Sequence, residues 1–213
     1  MRTEIKLIIS DYSGVLQNDL PKVHYTTNET LEYLGAKRIT LDQFKEQFDI
    51  PFEIFYRKMG VHQSMEEVQK VFGRFYKASR VPVRPFSGVA ETLRFLKEQQ
   101  EITMVMASGN RTEYIKKESC GIDKYFDKIR GGFPLKGNVM DETLKEFNAK
   151  PEEALVVEDM ECGLRDAKQR NMNTLAIIGE GSFRKPDVLM ACKPDFAASE
   201  FCCLKDFWNN FFI

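Results

Sequence analysis

No apolar stretch in this chain approaches the ~20 residues that a helix needs to cross a bilayer, so no membrane span is expected. An excess of one charge is lacking as well. The 31 Lys and Arg stand against 32 Asp and Glu, a formal net charge of −1. Without such an excess there is no broad field to draw in nucleic acid or anionic lipid, and neither is expected as a partner. The first residues lack the charged start, apolar run and small-residue cleavage site of a secretory signal. Cysteine is sparse. Cys120, Cys162, Cys192, Cys202 and Cys203 are odd in number, two are adjacent, and their spacing suits no zinc site. Reduced thiols in a cytoplasmic protein are the expectation. Internal repeats and low-complexity tracts are absent.

What is present is a chain of 213 residues, 43% hydrophobic and 30% charged. That suffices for a sizeable core in one domain, or in one domain with an insertion. Strand and helix patterns alternate from about residue 84. Apolar runs at residues 102–107, ITMVMA, and 154–158, ALVVE, predict strands buried on both faces. A third such run, TLAII, spans 174–178, with weaker strands at 128–130 and 195–197. Between them, helical spacing of apolar residues predicts helices from about Val89, over 111–119, over 139–147 and over 162–170. With the opening run Ile5–Ile9, this is an α/β pattern: a parallel sheet core, residues 1–16 and 84–213, with helices on both faces. Residues 17–83 differ. No strand is expected there, and Leu41–Phe55 and Met65–Ala78 carry apolar residues at helical spacing, which predicts an inserted all-α cap. The aromatic tail, Phe207, Trp208, Phe211 and Phe212, reads as packing.

In an open parallel sheet, ligands bind beyond the C-terminal ends of the strands. Polar residues gather at three of those ends: Asp11 after the first strand, Ser108-Gly109-Asn110 after the second, Glu158-Asp159 after the fourth. Neighbouring strands would bring them together. Converging carboxylates cannot all stay ionised without a cation, and a hard divalent ion with oxygen ligands, Mg²⁺ above all, is the natural partner.

Taken together, the segments DYSGVL, TMVMASGN and VVEDMECGLRDAKQRNM resemble the motifs of the haloacid dehalogenase superfamily. The likeness is to the Rossmann-like branch with a helical cap after the first strand. VRPFSGVAETLRFLKEQQEITMVMAS is similar to the stretch joining cap to core in its phosphoglycolate-phosphatase-like and β-phosphoglucomutase-like members. The resemblance implies a role for each position. Asp11 would be the nucleophile and form an aspartyl-phosphate. Ser108, with Gly109 and Asn110, would bind the phosphoryl group. A lysine would neutralise developing charge, either Lys136, which precedes Gly137 where many relatives have Pro, or Lys128. Asp159 and Glu158 would hold Mg²⁺ with Asp11 and the backbone carbonyl of Ser13.

Ser13 departs from the pattern. Phosphatases of this superfamily carry a second Asp there, which protonates the leaving group and then activates water. A serine hydroxyl does not ionise near neutral pH, so the usual proton shuttle is missing. The expected function is a Mg²⁺-dependent hydrolase of a small phosphorylated metabolite, monomeric or homodimeric. The alternatives are a phosphotransferase or mutase, carbon–phosphorus cleavage like that of phosphonoacetaldehyde hydrolases, and a catalytically weak binding protein on the same scaffold. Substrate choice falls to the cap, where His24 and His62 both lie.

Overall fold

The computed structural model describes residues 4–98, 102–133 and 136–211. By internal contact the chain divides into two compact units, one of Met1–Asn18 with Arg84–Ile213, the other of Asp19–Val83. In chain order, strands β1 (Leu7–Ser10) and β2 (Gln17–Asn18) come first. Helices α1 (Leu20–Tyr33), α2 (Leu41–Gln47), α3 (Phe52–Lys58) and α4 (Met65–Ala78) follow. Then come β3 (Arg84–Pro85), α5 (Val89–Glu98), β4 (Thr103–Ser108), α6 (Thr112–Glu118), β5 (Lys128–Gly131) and α7 (Gly137–Glu146). The chain continues with β6 (Ala154–Glu158), α8 (Glu161–Gln169), β7 (Asn173–Ile177), α9 (Pro186–Met190), β8 (Phe196–Ala198) and α10 (Leu204–Phe211).

The first unit is a Rossmann-like sheet of six parallel strands in the order β5-β4-β1-β6-β7-β8. Side chains alternate across a strand, and the two faces bury different partners. Ile8, Met104, Met106, Leu155 and Val157 pack with Val89, Leu93 and Leu96 of α5, Ile115 of α6 and Trp208 of α10. Leu7, Ile9, Val105, Ala107 and Val156 pack with Val139 and Met140 of α7 and Ala167 of α8. Each fully buried aliphatic side chain contributes roughly 1.5–3 kcal/mol, so the doubly covered strands carry the core. Of the aromatic tail, Trp208 is buried and Phe207 packs beside Phe196, 5.7 Å between ring centroids. Phe212 and the side chain of Phe211 lie outside the described residues.

The absence of any strand from 17–83 was expected; instead Gln17–Asn18 form a two-residue antiparallel strand with Arg84–Pro85. Two residues are too few for a pattern of alternation to show in a sequence.

The second unit is helical. Thr40 and Gln43 form a capping box at the start of α2, and the Ser64 hydroxyl accepts from Glu67 N at the start of α4. Its centre is aromatic: Phe44 stacks on Phe48 at 4.7 Å and meets Phe55 edge-on at 5.7 Å. His24 packs edge-on against Phe44, and its Nε2 lies 3.0 Å from the Ile39 carbonyl, a structural use of that ring.

Candidate active site

Alternation explains why the acids meet. Asp11 continues the Leu7 and Ile9 side of β1, and Glu158 continues the Ala154 and Val156 side of β6. That face is covered by α7, whose N-cap residue is Lys136. Parallel pairing sets Ser10 beside both Met106 and Val157, and Asp11 N donates to the Val157 carbonyl at 2.9 Å. The ends of β1, β4 and β6 therefore lie side by side.

Asp11, Glu158 and Asp159 each offer a carboxylate oxygen within 4.8 Å of the others, and all three are buried. The Lys136 ammonium lies 2.9 Å from Asp11 Oδ1 and is in direct contact with Glu158 Oε1. Lys128 sits elsewhere, exposed and paired with Glu146 at 3.0 Å, so Lys136 is the lysine that reaches the acids. Glu158 Oε2 accepts from the backbone N–H groups of Asp159 and Met160 at 3.0 and 3.1 Å. Asp159 Oδ2 accepts from Phe183 N at 2.6 Å. Asp159 Oδ1 is buried with no hydrogen-bond partner among the described residues.

Three buried carboxylates thus face one ammonium. Burial pushes the Glu158 carboxyl up to about 7 against the pull of Lys136. Asp159 is pushed well above the usual carboxylate range by burial, then by the charges of Asp11 and Glu158. Burial also disfavours the Lys136 charge, but Asp11 and Glu158 more than offset it and its pKa is raised. Protein groups alone leave the cluster short of positive charge, and the orphaned Asp159 oxygen marks where a cation would find a ligand.

Two glycines make the cluster possible. Gly14 has φ of 72°, and a Cβ there would collide with the Asp159 carboxylate. A Cβ at Gly163 would collide with the Glu158 carboxylate. At Gly137 a side chain would meet the Arg170 guanidinium, which holds Asp141 of α7 through bonds of 2.8 and 2.9 Å.

At the end of β4, the buried Ser108 accepts at Oγ from Asn110 N, 3.2 Å away, and exposed Gly109 forms the bend between them. Ser13 Oγ accepts from Asn110 Nδ2 at 2.9 Å. Phe183 and the link between Asn110 and Ser13 went unread in the sequence. Applying the strand-end rule to the run at 174–178 flags the segment that contains Phe183. Beside the cluster, burial lifts the Cys162 thiol to about 12, which leaves it inert, and the five cysteines form no disulfide.

The fold and this cluster define a class: a Rossmann-like sheet with a helical unit inserted after the first strand and acids at adjoining strand ends. The chain belongs to the haloacid dehalogenase-like hydrolases, whose pattern matches residues 8–177. A phosphoglycolate phosphatase of Photobacterium profundum is 27% identical over 148 residues, 62% of this chain and 64% of that relative, just under two thirds of its length. Another, from Vibrio parahaemolyticus, is 24% identical over 92% of both chains. Among solved structures, a haloacid dehalogenase-like hydrolase from Streptococcus pneumoniae superposes with a TM-score of 0.83 at 20% identity, covering 96% of this chain and 98% of the other. A predicted phosphoglycolate phosphatase from Haemophilus somnus gives 0.79 at 18% identity, with coverage of 96% and 98%. At these identities the structural likeness is one of fold. Among the described residues no helix is long and apolar enough to cross a membrane.

Proposed function

We propose that the chain is a divalent-cation-dependent phosphatase of a small phosphorylated metabolite, working through a phosphoryl group carried on Asp11. The observation that carries this reading is the buried cluster itself, with Lys136 against Asp11 and two further acids alongside. Oxygen-only donors, a charge deficit and an orphaned carboxylate oxygen fit Mg²⁺. Asp11, Asp159 and the Ser13 carbonyl would hold it, with Glu158 completing the acidic cluster. When bound, the ion would keep the acids ionised and screen Asp11 from a dianionic substrate.

The residues act as follows. An Asp11 carboxylate oxygen attacks phosphorus. The bond to the leaving oxygen breaks, and that oxygen takes the electron pair and then a proton from water. Ser108 donates to the phosphoryl oxygens and Lys136 balances their charge. Water next attacks the aspartyl-phosphate, which releases inorganic phosphate and restores Asp11. The sum is one ester and one water converted to one alcohol and one phosphate. Ser13, a hydroxyl where a carboxyl would assist both steps, favours a slow second step, so transfer of the phosphoryl group to an acceptor hydroxyl is the second reading.

The test is a panel of phosphoglycolate, sugar phosphates, nucleotides and phosphonoacetaldehyde, with and without Mg²⁺. Phosphoglycolate comes first because the curated relatives carry its name. Mg²⁺-dependent phosphate release from one compound is expected. Asp159→Asn should abolish it and weaken Mg²⁺ binding in calorimetry. Equal Mg²⁺ affinity in both proteins sinks the metal assignment.

A further inference from the structure

The loop after β7, residues 178–185, is tied to the turn between β6 and α8 at two points. Phe183 N donates to Asp159 Oδ2 at 2.6 Å. One residue on, the Arg184 guanidinium donates to Glu161 Oε1, also at 2.6 Å. Glu161 stands two residues beyond Asp159, as the first residue of α8. The two bonds close a small ring that runs through Asp159, Met160, Glu161, Arg184 and Phe183. Both side chains of the ion pair are largely buried. Within the loop, Ser182 Oγ donates to the Arg184 carbonyl at 3.1 Å, and Ser182 N donates to the Gly179 carbonyl at 3.1 Å. We propose that Arg184 is a positioning residue for Asp159. It holds the loop against α8, which keeps the Phe183 N–H on Oδ2 and leaves Oδ1 as the oxygen that this carboxylate offers to a ligand. This rests on the phosphatase reading above only in taking that ligand to be a divalent cation.

The carboxylate of an aspartate is a two-fold rotor whose oxygens are equivalent until something tells them apart. Here the backbone N–H engages one of them, and the Phe183 ring and Gly14 close over the same oxygen, where a Cβ at Gly14 would collide with both. The other, Oδ1, is buried and has no hydrogen-bond partner among the described residues. A backbone N–H is not aimed by its own side chain. It is aimed by whatever holds the loop, and the planar Arg184 fork does so from the adjacent residue. Groups that stand behind a metal ligand fix its orientation, and losing one typically costs about 10- to 100-fold in metal affinity. Charge argues the opposite way. A guanidinium near a cation repels it, so removing Arg184 would by charge alone tighten cation binding. Position and charge therefore predict opposite signs.

The test is calorimetry with Mg²⁺ alone on wild type, Arg184→Met and the double variant Arg184→Met with Glu161→Gln. Amide hydrogen exchange of each metal-free protein, read by NMR, accompanies it. Arg184→Met should bind Mg²⁺ about 10- to 100-fold more weakly, against the sign that charge predicts. The double variant removes the pair without stranding the Glu161 charge or altering the net charge, which guards against a folding defect in the single one. Its loss should be of the same size. In both variants the Phe183 N–H should exchange faster, while Val156 and Val157 in β6 keep their protection. Unchanged or tighter Mg²⁺ binding in the double variant overturns the proposal, and so does an acceleration that β6 shares equally. If wild type binds no Mg²⁺, the cation assignment falls and exchange alone decides. Faster exchange confined to the Phe183 loop then supports the positioning role, and unchanged exchange overturns it.

Discussion

In the strand-and-helix unit one set of buried polar groups is ionic: Asp11, Glu158, Asp159 and Lys136. In the helical unit, α1 buries mostly neutral ones, Thr26, Thr27, Asn28 and Thr30. Much of the neutral set is tied to nearby backbone, although the buried Thr26 Oγ1 has no hydrogen-bond partner among the described residues. Thr30 donates to the Thr26 carbonyl at 2.8 Å, and Asn28 trades bonds of 3.0 and 2.8 Å with Ile39. The ionic set does not close, since one ammonium faces three acids and one acid oxygen has no partner among the described residues. An unpaired hydroxyl costs far less than an uncompensated buried charge, so it is the ionic set that calls for a cation from solution.

The comparison breaks most sharply at Asp11. Asp11→Asn should remove turnover, by at least about 10⁴-fold if the residue is the nucleophile, while the protein still folds and melts cooperatively. Retained turnover in a folded Asp11→Asn protein rejects the aspartyl-phosphate route. The matching change in the other unit is Phe44→Ala. It empties the centre of the aromatic cluster and should cost about 3–5 kcal/mol of stability, read by denaturant melting, with Mg²⁺ affinity unchanged.

Next in size is the pH response of the metal-free protein. The Glu158 carboxyl, pushed up to about 7 in the folded chain from an ordinary 4.5, makes the folded state hold more protons than the unfolded one across that window. Stability therefore falls as pH rises through it, by on the order of 2 kcal/mol. Asp159, raised as well, adds a loss of the same sign. Mg²⁺ should remove most of the fall, so its stabilising effect in calorimetry grows from pH 5 to pH 8. An effect of Mg²⁺ that is the same at both pH values counts against a cation in this cluster.

The same contrast sets how far the sequence could be read. The strand over Ala154–Glu158 has the expected bounds because a five-residue apolar run, buried on both faces, stands out against its flanks. The helix over Met65–Ala78 also matches, because its apolar residues keep helical spacing between a serine cap and Ser79. Helix α1 was not read. It buries threonines and an asparagine, so hydrophobic periodicity carries little of its signal. The acids were legible from their places at strand ends. Their partners were harder: Lys136, which meets Glu158 across 22 residues of chain, came only through the family resemblance and beside Lys128, and Phe183 reaches Asp159 through a backbone N–H, which every residue but proline has.

The smallest expected effect is the most telling one for Ser13. If this position merely lacks its acid, Ser13→Asp should restore the ~10²–10⁴-fold that a positioned acid–base group contributes. The Asn110 amide qualifies that expectation. An Asp at position 13 in reach of the Nδ2 donor would accept a hydrogen bond, which favours its ionised form. An ionised Asp is poorly placed to protonate a leaving group and well placed to deprotonate water. The first step, on p-nitrophenyl phosphate, should therefore change little. Hydrolysis of the phosphoryl group on Asp11 should quicken by about 10- to 100-fold, the lower part of the acid–base range. Quenched samples weighed as intact protein report both steps. Wild type should carry a phosphoryl adduct that Ser13→Asp sheds sooner. If Ser13→Asp leaves turnover unchanged or lower and neither protein shows an adduct, Ser13 is not the site of a missing acid, and carbon–phosphorus cleavage or binding without catalysis becomes the better account.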